Sequence, residues 1–296
     1  MRRHRVWKLL FHINTVIMKS AMPHRILSSL LVISTAFLNG CMSAPTIGGI
    51  STDFTSRKDV VFTSEKWPAP LAADTYKPSS QKPTPAVLLI HGGGWNDKER
   101  RSDMARIAKA LAKRGYFVMN TTYRLTPDWK FPAQAEDMEE ALRYMRRNST
   151  ELNIAPERIA TFGYSAGGHL AALAGLNPKN KVKTIVAGGA PSDLSFWPNG
   201  KLTGLLLGGP LDGKEKIYRE ASPVTYVKKD SPPIFIYHGT KDTLVPVEHP
   251  KAFISALEEH GVDHEVYWIE GRSHILSHLF SANAIPEAID FLDKNL

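Results

Sequence analysis

Three residues of this chain, Ser165, Asp242 and His274, have the types and local settings needed to move an acyl group. Ser165 lies in Gly163-Tyr164-Ser165-Ala166-Gly167, a Gly-x-Ser-x-Gly turn of the kind that lifts a hydroxyl clear of the backbone. The five-residue pattern is weak by itself; its flanks make it informative. Arg158-Ile159-Ala160-Thr161-Phe162 before it is strand-like, and Gly168 to Ala174 after it is small and helix-compatible. Such a turn presses strand and helix together and holds its serine in a strained conformation. A serine hydroxyl at its free pKa is a poor nucleophile, so it needs a base, and the base needs an orienting acid. In a parallel sheet these partners belong just beyond the carboxyl ends of strands. Asp242 follows the apolar run Pro233–Tyr237, and His274 follows the alternating run His264–Ile269. His278, four residues on, shares a helical face with His274, but His274 is nearer the strand end. The His-x-x-x-His spacing suggests zinc only with a glutamate beside the first histidine; Ile275 stands there, and no metal is expected.

Attack on a carbonyl creates an oxyanion, which needs N–H groups aimed at one point. His91-Gly92-Gly93-Gly94-Trp95 follows the apolar strand Ala86–Ile90 and offers a backbone that can approach a ligand closely. The N–H groups of Gly93 and Gly94, with that of Ala166, are the candidate oxyanion hole. His91 is read as organising this loop. Trp95 is read as a substrate-binding wall, with a packed core tryptophan as the competing reading.

These segments imply the elements that must position them. Continuous apolar strands alternate with amphipathic helices, as in Met104, Ile107, Ala108, Leu111 and Ala112 before the stop at Gly115. That alternation predicts an α/β fold with a mostly parallel central sheet and helices on both faces, in one domain over residues 57–296. Asp59–Phe62 reads as an edge strand and Ala72 to Pro85 as a loop. The helix over Ala133 to Arg147 carries Glu136, Asp137, Glu139 and Glu140 early and Arg143, Arg146 and Arg147 late, which reads as a solvated face ordered to suit the helix dipole. The insert from Ser192 to about Lys229, with Phe196, Trp197 and Leu205-Leu206-Leu207, is a candidate roof for the pocket.

Composition narrows the rest. A chain of 296 residues with 43% hydrophobic content can bury a sizeable core. The six basic residues among positions 1–40, unaccompanied by any acid, account for most of the formal +8; without them it falls to +2. So balanced a body offers no field for nucleic acid. Ile26 to Leu38 is too short to span a bilayer but suits the core of an export signal, so residues 1–40 read as a signal peptide, with translation starting at Met1, Met18 or Met22. Leu38-Asn39-Gly40-Cys41 is similar to a bacterial lipoprotein signal, with the sole cysteine, Cys41, as the lipidated residue. Residues 41–56 are then a tether, and the domain is expected to be exported and held at a membrane through Cys41.

Together, His91–Trp95, the segment from Tyr123 through Gln134, Gly163–Gly168 and His238–Pro246 resemble the α/β-hydrolase superfamily, in particular esterases similar to hormone-sensitive lipase and the bacterial acetylxylan and feruloyl esterases. The order Ser165, Asp242, His274 is the one such enzymes use. Tyr164 departs from the aspartate usual before the nucleophile in hormone-sensitive-lipase relatives, and Ala221–Val227 looks like the bacterial group. The resemblance implies a serine carboxylesterase that needs no cofactor and cleaves short-chain or carbohydrate-linked acetyl or feruloyl esters. His-Gly-Gly-x-Trp also occurs in kynurenine formamidases, and a hydrolase-fold binding protein without activity is the reading from another class.

Overall fold

The computed structural model describes residues 51–96, 98–281 and 283–296. The signal segment, its candidate start positions and Cys41 lie outside them. Eight strands form one sheet: β1 (Phe54–Val61), β2 (Ala72–Pro78), β3 (Thr84–Ile90), β4 (Phe117–Thr121), β5 (Ile154–Tyr164), β6 (Thr184–Gly188), β7 (Ile234–Gly239) and β8 (His264–Ile269). Their spatial order is β1-β2-β4-β3-β5-β6-β7-β8. β1–β2 and β2–β4 are antiparallel; every other pairing is parallel. The helices are α1 (Ala105–Lys113), α2 (Ala133–Arg147), α3 (Ser149–Leu152), α4 (Ala166–Leu176), α5 (Lys201–Leu207), α6 (Glu215–Glu220), α7 (Glu248–His260), α8 (His274–Leu279) and α9 (Ala284–Asn295).

The apolar runs form strands because both faces of the sheet are covered. Along β3, Ala86, Leu88 and Ile90 point into one hydrophobic cluster while Val87 and Leu89 point into the other. Every residue of α4 is buried, which its small and apolar composition permits. From β3 the chain crosses outward to β4, and from β5 it crosses the other way to β6. The direction of winding therefore reverses between β3 and β5, and a crevice opens beyond the carboxyl ends of those neighbouring strands. The register pairs Ile90 with Gly163 at that edge, so the loop after β3 and the turn after β5 emerge side by side.

Three local expectations are corrected. The stretch Ala72–Pro85 contains β2 rather than only a loop, and β1 begins at Phe54, within the residues assigned to a tether. Pairing with β1 and β4 overrides the polar composition of β2: Asp74 is buried and accepts from the Asp59 N–H at 3.2 Å and from Arg101 at 3.1 Å. The acidic run of α2 is not a solvated face throughout, because Asp137 is fully buried and Glu140 nearly so.

The reason is Arg124. Its Nε donates to Asp137 Oδ1 at 2.8 Å and its Nη2 to the Ala133 carbonyl at 2.9 Å, with the guanidinium held between Trp67 and Trp129. Asp137 also accepts from the Trp67 indole N–H and the Arg124 backbone N–H. Asp137→Ala would leave the buried guanidinium with only the half-exposed Glu136, 3.0 Å from Nη2, as counter-charge, at an expected cost of about 3 kcal/mol. Urea unfolding checks this; a loss below about 1 kcal/mol would reduce the pair to the standing of a surface ion pair.

Candidate active site

Ser165 caps the start of α4 with φ 56° and ψ −125°, a conformation an L-residue holds only when its surroundings impose it. The glycines on either side show what imposes it. A Cβ at Gly163 would fall 2.1 Å from the Gly167 carbonyl oxygen, and one at Gly167 would fall 2.1 Å from that of Ile90. Strand, turn and helix touch backbone to backbone, which raises the serine to the edge of the sheet.

His274 Nδ1–H donates to Asp242 Oδ2 at 2.6 Å, and His274 Nε2 accepts from the Ser165 hydroxyl at 2.8 Å. Because a carboxylate only accepts, Nδ1 carries the ring proton and Nε2 is left basic towards the serine. Asp242 is fixed in turn: Oδ1 accepts the N–H groups of Leu244 and Val245, while His238 Nε2 donates to the Val245 carbonyl and lies 3.4 Å from Oδ2. His278 is not at the serine; its ring packs at a tilt of 30° against Tyr164, with centroids 4.8 Å apart. Tyr164, the residue before the serine, donates its hydroxyl to the His274 carbonyl at 2.6 Å and so steadies the histidine backbone.

The loop after β3 packs against this group. A Cβ at Gly92 would lie 3.2 Å from that of Ser165. His91 Nδ1 donates to the Gly92 carbonyl at 2.7 Å, its ring stacks on Tyr123, and the Tyr123 hydroxyl donates to the His91 carbonyl. Positive φ at Gly93 (110°) and Gly94 (61°) then bends the chain back. No hydrogen bond among the described residues uses the N–H of either glycine. Ala166, as the first residue of α4, has no carbonyl four residues back within the helix.

Gly93, Gly94, Ser165, Ala166 and His274 share the lining of one cavity of about 660 Å³. Trp95 also borders it, but its indole is only 2% exposed and donates to His169 Nδ1 at 3.2 Å. From the candidate roof, Trp197 borders the cavity as well, whereas Leu206 and Leu207 turn into the core. Leu244, Ile275 and Leu279 make an exposed apolar wall.

His169 had no signal in the sequence beyond its place in a small-residue helix. It is fully buried, accepts from Trp95, and its Nε2 donates to the Ala221 carbonyl at 2.7 Å. Burial pushes the pKa of both His91 and His169 down from 6.5 to about 4. Between those values the unfolded chain binds protons that the native fold excludes, so stability falls as pH drops from about 6.5 towards 4 and levels off above 6.5. A thermal-unfolding series across that interval should show Tm declining, less steeply in His169→Gln; a flat series would refute it.

Comparison with known proteins finds esterases among the relatives of this chain. The probable carboxylic ester hydrolase LipM of Mycobacterium tuberculosis is 29% identical over 225 residues, 69% of this chain and 52% of that protein. The chain spans about half the length of the first curated relatives it matches. Among solved structures, a truncated carbohydrate esterase from gut microbiota shares the fold at TM-score 0.75 and 24% identity, covering 83% of this chain and 97% of that one. An acetyl ester-xyloside bifunctional hydrolase from Caldicellulosiruptor lactoaceticus gives TM-score 0.65 and 26% identity, covering 80% and 92%. The mostly parallel sheet is that of the α/β-hydrolase fold. The BD-FAE family model matches residues 73–257, more than half of the sequence, and the chain belongs to that family.

Proposed function

We propose that this chain is a serine carboxylesterase acting through Ser165, His274 and Asp242, on short-chain or carbohydrate-linked acetyl or feruloyl esters. The observation that carries the reading is the unbroken path from Asp242 through His274 to the Ser165 hydroxyl, with bonds of 2.6 and 2.8 Å, opening into the cavity. Ser165 Oγ attacks the ester carbonyl carbon while His274 Nε2 takes the hydroxyl proton. Asp242 holds the imidazole in the required tautomer and offsets the positive charge it acquires. The oxyanion is met by the N–H groups of Gly93, Gly94 and Ala166. His274 then protonates the departing alcohol oxygen, which breaks the ester bond and leaves an acyl-serine. Water, deprotonated by the same nitrogen, attacks that acyl group, and His274 returns the proton to Ser165 Oγ as its bond to the acyl carbon breaks, releasing the acid and free Ser165.

The names of the LipM and carbohydrate-esterase relatives support an ester as substrate, and the apolar wall of Leu244, Ile275 and Leu279 suits the hydrocarbon part of one. A fluorophosphonate probe should form an adduct on Ser165, located by peptide mass spectrometry, and acetyl, butyryl and feruloyl esters should be hydrolysed. Absence of the adduct would favour a binding protein. Turnover confined to an N-formyl aromatic amide would favour a formamidase.

A further inference from the structure

Beside the reacting centre stands a cation whose donors are almost unspent. Arg100 borders the cavity with Asp103 and His278. Its stem lies over the glycine loop: a Cβ at Gly93 would come within 2.9 Å of Arg100 Cδ and 3.1 Å of Nε. Nε is thereby shut away from water with no hydrogen-bond partner, so packing alone holds the guanidinium at that point. Its one ion pair among the described residues runs from Nη1 to Asp103 at 3.6 Å, beyond hydrogen-bond range. Both side chains are partly exposed, 37% and 44%, and a pair of that kind is readily exchanged for another partner.

The chemistry says which half of an ester this cation would meet. The leaving oxygen must receive its proton from His274 Nε2, so the alcohol half lies on the His274 side of Ser165. The segment carrying Arg100 is fastened to that helix. Arg106, three residues after Asp103, donates to the His278 carbonyl at 3.3 Å and to the Ser281 hydroxyl at 3.2 Å. Arg100 thus packs on the Gly93 loop and shares the cavity lining with His274 and His278 of that helix. A guanidinium presents a planar fork of N–H donors that matches a carboxylate.

We infer that Arg100 is a specificity residue that binds a carboxylate on the alcohol half of the ester, so that the preferred substrates are acyl esters of acidic alcohols. This rests on the carboxylesterase reading. It selects the leaving group and leaves the acyl group open.

The test compares para-carboxyphenyl acetate with its carboxyl methyl ester, following release of acetate. Arg100→Met should raise KM for the carboxylate substrate about tenfold or more with kcat nearly retained. The neutral ester should be almost unaffected. Arg100→Lys, which keeps the charge but loses the fork, should fall between wild type and Arg100→Met, and added salt should narrow the wild-type preference. An equal loss on both esters would show that Arg100 merely props the Gly93 loop, and no loss on either would show that it does not meet the substrate; each overturns the inference while the esterase reading stands. If the wild type cleaved neither ester, the carboxylesterase reading itself would fall and the inference with it.

Discussion

Ser165→Ala is expected to reduce ester turnover by a factor on the order of 10⁴ or more while leaving the fold intact. The size follows from what the hydroxyl does: without it His274 has no proton to take and no acyl-enzyme can form. The remaining path is direct attack by water held near the oxyanion donors, and such sites retain only a small residual acceleration. Alanine suits the position sterically because it removes one buried-edge oxygen and keeps the Cβ against which Gly92 packs. Its backbone keeps the φ 56° that the serine already holds, so Tm should change little. Circular dichroism and Tm separate the two effects. A well-folded Ser165→Ala protein with more than about one-tenth of wild-type kcat would remove the serine from the mechanism.

How far the fold could be read from sequence depended on where each element drew its stability. β3, β7 and the second half of β5 are buried on both faces, and that burial writes itself into the chain as unbroken apolar runs such as Val87–Ile90. β2 carries no such run. Its strand character comes from hydrogen bonds to β1 and β4 and from the partners of Asp74, all remote in sequence. The acidic start of α2 misled for a related reason. Charge on a helix usually marks its wet face, but Asp137 faces inward because Arg124, thirteen residues earlier, meets it there.

The site divides along the same line. Ser165 was marked by its Gly-x-Ser-x-Gly turn, and the rule that functional groups gather at strand ends was enough to nominate Asp242 and His274. The side chains that hold them in place left almost no local trace. Trp95 and His169 are 74 residues apart, and the Tyr164 hydroxyl meets the His274 carbonyl across 110 residues. Only the folded register brings such partners together. His278 illustrates the limit from the other side: spacing put both histidines on one helical face, and the structure gives one the serine and the other the ring of Tyr164.

Asp242→Asn distinguishes the role of the acid from its mere presence. The exchange keeps size and shape, and an amide oxygen at the Oδ1 position can still accept from Leu244 and Val245 at 3.0 and 2.8 Å. The amide nitrogen then falls at the Oδ2 position, 2.6 Å from His274 Nδ1 in the native protein. That nitrogen donates, so the favoured pairing needs an unprotonated Nδ1 and moves the ring proton to Nε2. A protonated Nε2 cannot accept from Ser165, and the developing imidazolium loses its counter-charge. The expected fall in kcat is on the order of 10⁴-fold, with KM little changed and the fold retained. Because the three residues act as one unit, adding Asp242→Asn to Ser165→Ala should cost little beyond the serine variant alone. A fall of less than about tenfold in the single Asp242→Asn variant would mean that the carboxylate only braces its own loop, and another group would have to orient His274.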